Sequence, residues 1–391
     1  MAGDEDVPIF SSSRFFLQLS LMWPLKNEQP KWFYLRLAVF AVLLYLTITL
    51  SIGVHIVKSL QEGGIDISED LAFFATSICL ALMMILYALK QRDLLALMLD
   101  LCNFAQFGKP PQFDSVNKTL EFWVKFIFAY CIFGAVFYNL VKIIEIPQCR
   151  RSRKIPGTCG SLIQLWTPFD PDDGVTASLI VLYVFLIALI MVKVTLMVSV
   201  QVLEISWNIK LRIDQLKSML LGCFDDDVVA SRRRLNHCIQ YHIDIISYSE
   251  RFNECFTNGM FVHLATTGLV CGCLENQIVK EHQLEAILHI FGWIGSIFVS
   301  CLGGQLLMDS VPLDKFSSFL LLIDLQSTSI ADAAYGSKWY QADVRTRKDL
   351  ILMILRSQKP LFVATGPFNV MCLALFVSIM KMSYSVLTLL N

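Results

Sequence analysis

Ser327 to Tyr340 reads STSIADAAYGSKWY, Arg356 to Leu361 reads RSQKPL, and Ser383 to Asn391 reads SYSVLTLLN. The first two stretches are polar, and the third closes an apolar helix at the end of the chain. A soluble domain rarely ends by exposing such a helix, so the three together read as a polar collar feeding a final membrane span.

Composition extends that reading over the whole chain. Of 391 residues, 55% are hydrophobic and 17% are charged, against about 25% charged in an average soluble domain. The expected fold class is all-α, a polytopic membrane protein. The net charge of -1 gives no electrostatic pull toward nucleic acid. Asp4, Glu5 and Asp6 stand where a signal peptide would carry basic residues, so the first span is expected to direct insertion itself.

Apolar runs near the roughly 20 residues that cross a bilayer occur at Phe33 to Val57, Leu71 to Leu89, Phe122 to Ile146 and Val175 to Leu203. Three more follow at Phe256 to Ile278, Leu284 to Met308 and Phe362 to Leu390, giving seven transmembrane helices. The fifth is the weakest, because His263, Thr266, Thr267 and several glycines dilute it. Lys and Arg in the connections number 21 on the side of the N-terminus and six on the other. The rule that basic loops stay inside therefore puts the N-terminus in the cytoplasm and the C-terminus outside. Arg150, Arg151, Arg153 and Lys154 in the longest outer loop run against that rule and read as a solvated face partly balanced by Asp170, Asp172 and Asp173. Asn117-Lys118-Thr119 is a glycosylation sequon, but its loop falls inside, so it is expected to stay unmodified.

Three amphipathic patterns run past the spans. Ile205, Ile209, Ile213 and Leu216 form one stripe; Leu235, Ile239, Ile243 and Ile246 a second; Leu350, Ile351, Ile354 and Leu355 a third. Their apolar faces need burial, so a cytoplasmic helical anchor beneath the membrane is expected. The organisation is then a cytoplasmic N-terminus (1–32), spans one to six with their extensions (33–308), an anchor segment (309–361) and the seventh span (362–391).

Catalytic signatures are absent: there is no Gly-rich phosphate loop, nucleophile elbow or Cys-x-x-Cys pair, so neither an enzyme nor a cofactor is expected. His55, His263 and His289 are isolated in sequence from one another and from carboxylates at ligand spacing, and read as satisfied or interfacial rather than metal-binding. Of the twelve cysteines, Cys149 and Cys159 alone share a polar loop and could pair if it lies outside. Cys271 and Cys273 read as packing.

The C-terminal fifth resembles the insect odorant receptors: a Ser cluster, then ADAAYGSKWY, a basic amphipathic helix, QKPL, and a terminal Ser-Tyr followed by apolar residues. Length, span count and inverted topology agree along the rest. The sister gustatory receptors usually end in Gln-Phe, where this chain has Leu389, Leu390 and Asn391. The family's co-receptor is much longer in its second cytoplasmic connection, so the chain resembles the ligand-tuned subunit. The resemblance implies a ligand-gated, non-selective cation channel in the plasma membrane of olfactory sensory neurons, a hetero-oligomer, expected to be a tetramer, with the co-receptor subunit. It would be opened by a small volatile organic ligand.

That resemblance places the pocket in the outer half of the bundle, between spans two, three, four and six. The residues selected are Phe73, Phe74 and Ser77 on span two, and Cys131, Gly134 and Tyr138 on span three. Leu182 and Leu186 represent span four; Ile290, Trp293 and Ile294 represent span six. Cys131, Gly134 and Tyr138 share a face at i, i+3, i+7, a small floor beside an aromatic wall. The seventh span would line the pore, with Met380, Ser383, Leu387 and Asn391 on one face and Tyr384 beside it; Leu387 would form an apolar gate. Without the resemblance, each of these residues reads as ordinary helix packing. Lys381 would snorkel or meet a lipid headgroup.

The sixteen residues from Val311 to Gln326, VPLDKFSSFLLLIDLQ, interrupt the family's usual spacing. They read as a translated intron or as a loop peculiar to this chain. A metabotropic seven-span receptor would have the opposite polarity and Asn-Pro-x-x-Tyr in its last span, which this chain lacks. A secondary transporter would favour internal repeats, and none is evident.

Overall fold

The computed structural model describes residues 10 to 390 except 26–27, 63–66, 153–156, 168–173, 281–282, 309–329 and 367–368. The insertion at 311–326, the collar's first residues and Asn391 therefore lie outside the described residues.

Helix α1 (Ser11–Leu19) lies against the third span. Phe16 stacks on Phe128 with ring centroids 3.8 Å apart, and the Ser12 hydroxyl donates to Glu121 at 2.9 Å. Helix α2 (Pro30–Leu44) begins on a proline, whose missing N–H costs nothing in a first turn. It passes through one π-helical turn, Tyr45–Thr49, into α3 (Leu50–Glu62). Then come α4 (Ser68–Leu89), the short α5 (Gln91–Leu101), α6 (Phe113–Ile144) and α7 (Ile146–Ser152). The fourth passage is broken between α8 (Gly174–Met191) and α9 (Val194–Leu221). At the break Lys193 is buried, and its ammonium donates to the Leu189 carbonyl at 2.6 Å. A lysine inside an apolar span thus satisfies a carbonyl of the helix end beside it.

Helix α10 (Val228–Lys280) has 53 residues and α11 (Leu284–Leu307) has 24. At 1.5 Å per residue α10 is about 80 Å long, enough to cross a hydrocarbon core of about 30 Å and run well beyond it. Two helices, α12 (Ile330–Gly336) and α13 (Val344–Ser357), precede a two-residue antiparallel pair, β1 (Ala364–Thr365) and β2 (Asn369–Val370). Helix α14 (Leu373–Leu390) follows. Asp343 caps α13 by accepting from the amides of Arg345 and Thr346.

Among the described residues, six passages are long and apolar enough to cross a membrane: α2 with α3, α4, α6, α8 with α9, α11 and α14. The fifth passage, expected over Phe256 to Ile278, is the end of α10 and turns its polar residues inward. His263, Thr267, Asn276 and Gln277 are all buried there. The core is built around α10, which packs along α4 and α14, and α11, which packs along α9.

The lower parts of α9 and α10 meet α5, α12 and α13 in a helical base. On α9 the expected stripe of Ile205, Ile209, Ile213 and Leu216 is buried. Arg212 is buried as well, although the spacing puts it among the polar positions. Its guanidinium donates to the Leu101 carbonyl at 2.5 Å and sits over the rings of Phe104 and Tyr248. On α10 the buried face is Leu235, Cys238, Ile245, Ser249 and Phe252, and Ile243 is half exposed. On α13 it is Thr346, Leu350 and Met353, and Ile351 and Leu355 face outward. Both helices carry more apolar residues than one stripe holds, so spacing alone leaves the phase open.

Candidate functional site

At the end of the bundle away from that base, α4, α6, α8, α9 and α11 enclose a cavity of about 160 Å³. Its roof comes from the connection after α7. Cys149 and Cys159 form a disulfide with Cα atoms 5.8 Å apart, and three residues later Leu162 and Ile163 reach the cavity. The cross-link limits the conformations open to that loop. Lys58 holds the loop's far part from above the Trp166 ring, 4.2 Å from its centroid.

Of the residues selected from sequence, Phe73, Ser77, Cys131, Gly134, Tyr138 and Trp293 line the cavity. Phe74, Leu182, Leu186, Ile290 and Ile294 do not, and each departs for a geometric reason. The wall of α8 is Val184, Ile187, Ala188 and Met191, whereas Leu182 and Leu186 are half exposed on the far side. Two residues along a helix turn it by about 200°. On α11 the wall is Leu288, His289, Gly292 and Trp293, one step of about 100° from Ile290 and Ile294. Phe74 turns toward α3, where its ring would lie 3.4 Å from a Cβ at Gly53. Sequence reasoning also passed over Leu44, Ile48, Thr76 and Tyr130, which are among the other lining residues. The first two belong to a helix not expected at the pocket.

The polar groups around the cavity are mostly spent on protein. The Tyr130 hydroxyl donates to the Leu288 carbonyl at 2.6 Å, tying α6 to α11. The Tyr138 hydroxyl donates to Glu69 at 3.0 Å, and Lys142 lies 2.9 Å from Glu69 and 3.4 Å from Glu285. Ser77 donates to the Phe74 carbonyl at 2.9 Å and accepts from Thr49 at 3.1 Å. No charged side chain is among the described lining residues. The result is a concave, mainly apolar cavity with aromatic walls, the form a binding site for a small neutral molecule takes.

His55, His263 and His289 are all partnered, two of them by side chains remote in sequence. His55 Nδ1 lies 2.8 Å from Asp70, and His263 Nε2 lies 3.2 Å from the Ser296 hydroxyl. His289 Nε2 accepts from the Trp293 indole N–H at 3.1 Å.

On α14, Met380, Ser383 and Leu387, expected to face a pore, lie wholly or partly buried within the subunit. Ser383 has no exposed surface, and its hydroxyl donates to Glu275 on α10 at 2.6 Å. A Cβ at Gly272 would come within 2.5 Å of Val386 and 2.8 Å of the Ser383 carbonyl, so α10 and α14 touch backbone to backbone here. Met380 is partly buried against the core and Leu387 is half-buried. The exposed face carries Tyr384, the remaining described residue of that set, with Val377, Lys381, Ser385 and Thr388. The polarity of Ser383 suggests water in the sequence, yet here it satisfies a carboxylate between helices.

A family model described as 7tm Odorant receptor matches residues 64–312 and 321–384. The gap falls inside the sixteen-residue insertion. Among curated proteins, odorant receptor 82a of Drosophila melanogaster is 25% identical over 286 residues, 70% of this chain and 68% of that protein. Odorant receptor 10 of Aedes albopictus is 32% identical over 157 residues, and that alignment spans only 38% of the mosquito protein. Among solved structures, the insect olfactory receptor OR5 from Machilis hrabei superposes with a TM-score of 0.71 at 18% identity, covering 97% of this chain and 96% of that one. The same receptor in complex with eugenol gives 0.70 at 16% identity. These structures share the fold from end to end, and the family match covers most of the sequence: the chain belongs to the seven-span odorant receptor family.

Proposed function

We propose that the chain is the ligand-tuned subunit of an odour-gated, non-selective cation channel. It would assemble with a co-receptor subunit as a tetramer in the plasma membrane of olfactory sensory neurons. The observation that carries this reading is the apolar cavity, whose wall on α11 is mechanically tied to α14. The cavity end of α11 presents Leu288, His289, Gly292 and Trp293. At its other end Gly304 abuts the Met371 backbone, and the Gln305 side chain accepts from the Leu373 amide at 3.4 Å where α14 begins. A rigid helix of about 36 Å thus joins the ligand to the start of the helix that would line the pore. Tyr384, Ser385 and Thr388 on the exposed face of α14 would be offered to the conduction path.

The reading is tested by voltage clamp of cells expressing the chain with and without co-receptor, under an odour panel, with G-protein signalling blocked. Currents should require the co-receptor and persist under the block. Loss under the block overturns the channel reading.

The orientation belongs to the same proposal, with the N-terminus cytoplasmic and the C-terminus outside. Asn117 then lies in the cytoplasm. Its amide also donates to the Phe113 carbonyl at 2.8 Å and exchanges bonds with Asn208. The protein should show no mobility shift attributable to this sequon when treated with a glycosidase. A shift abolished by Asn117→Gln would reverse the topology.

A further inference from the structure

We infer that His289 is a hydrogen-bond donor to the ligand, and that the cavity selects compact neutral molecules with one acceptor oxygen over hydrocarbons of the same shape. This rests on the cavity being the odorant site. An indole N–H can only donate, so the 3.1 Å bond from Trp293 makes His289 Nε2 an acceptor. The single proton of the neutral ring then sits on Nδ1. That atom is buried and has no partner among the described residues, while the residue lines the cavity.

The ring is held in place. It stacks on Phe73 with centroids 5.4 Å apart and meets the edge of Tyr138 at 6.3 Å. Thr76 Oγ1 is a second buried, unpartnered polar atom on the lining, and as a hydroxyl it can donate to the same acceptor or accept in turn. Tyr130, Tyr138 and Ser77 have already spent their hydroxyls on protein. An unsatisfied buried donor disfavours any occupant that leaves it unmet.

Volume sets the size of that occupant. A dry cavity of about 150 Å³ accepts benzene, and this one is about 160 Å³. The absence of charged side chains among the described lining residues disfavours carboxylates and ammonium compounds. The class is therefore one-ring or short-chain aldehydes, ketones and ethers.

The experiment uses the full chain with co-receptor in clamped cells and three isosteric pairs: acetophenone with α-methylstyrene, benzaldehyde with styrene, and anisole with ethylbenzene. The oxygenated member of each pair should open the channel at roughly tenfold to a hundredfold lower concentration, the factor expected for one buried donor met or unmet. His289→Phe should bring the ratio to about one. Trp293→Phe keeps the imidazole but releases its tautomer, and should lower the ratio several-fold. No preference in the unsubstituted chain, no response to any oxygenated member, or a ratio unmoved in both variants overturns the inference. Gly134→Phe separates the two levels of argument. If it leaves all responses intact, the cavity itself is misassigned. If it removes them while the His289 and Trp293 variants keep the ratio, only the donor role fails.

Discussion

Gly134→Phe is expected to abolish the odour-evoked current while leaving the receptor at the cell surface in its usual amount. Gly134 lines the cavity, and a Cβ built there meets nothing within 4 Å, so the new side chain enters space that no protein atom occupies. The helix does not object, since a glycine inside a helix costs about 0.5–1 kcal/mol relative to alanine. What the substitution removes is room: a phenyl ring takes most of a volume near 160 Å³. A ligand of some ten heavy atoms gains about 0.3 to 1.5 kcal/mol per atom on binding, so excluding even half of it costs at least about tenfold in sensitivity. Concentration–response curves with parallel surface labelling measure the effect. A shift below threefold at normal surface level would show that odorants bind elsewhere.

The same glycine shows why part of the site is legible in the sequence. On α6, Cys131, Gly134 and Tyr138 stand out because small and aromatic residues are placed at helical spacing among bulkier neighbours. On α8 nothing stands out: nearly every residue from Gly174 to Met191 is apolar, so the helix has no readable face. Leu182 and Leu186 are as plausible from spacing as Val184 and Ile187, and only packing distinguishes them. His289 is hidden for a different reason. Its meaning comes from Trp293 one turn away and from an empty volume, and neither is a motif. The spans, by contrast, announce themselves by length and hydropathy, because lipid demands a continuous apolar helix whatever its neighbours. The base is intermediate. Its helices are visible as amphipathic stretches, but Arg212 reads as a solvated charge and is in fact a buried donor to Leu101.

Ser383 carries that lesson to α14. Polarity on an apolar helix has two physical uses in a membrane protein, wetting a conduction path or bonding a neighbouring helix. The bond from Ser383 to Glu275 settles which one applies within the subunit. The face of α14 that remains exposed is then set by its contact with α10 at Gly272 and by its start beside α11 at Gly304.

Gly304→Val should therefore separate binding from opening. A Cβ at Gly304 would collide with the backbone carbonyl and Cβ of Met371, which, unlike the end of a flexible side chain, cannot swing aside. Forcing the added atoms into this packed junction costs about 1–3 kcal/mol, and the strain falls on the joint between α11 and α14. Cys301, one turn earlier, has its sulfur 3.4 Å from that of Met371, so two successive turns of α11 hold the same residue. The cavity residue nearest in sequence is Trp293, eleven residues and about 16 Å earlier along the helix, so the chamber keeps its shape. Ligand-induced thermal stabilisation of the purified complex should persist within threefold of its usual concentration dependence, while the maximal current falls at least tenfold. Equal losses of binding and current would mean that the substitution simply unfolds this end of the protein, and unchanged current would show that α11 does not drive α14.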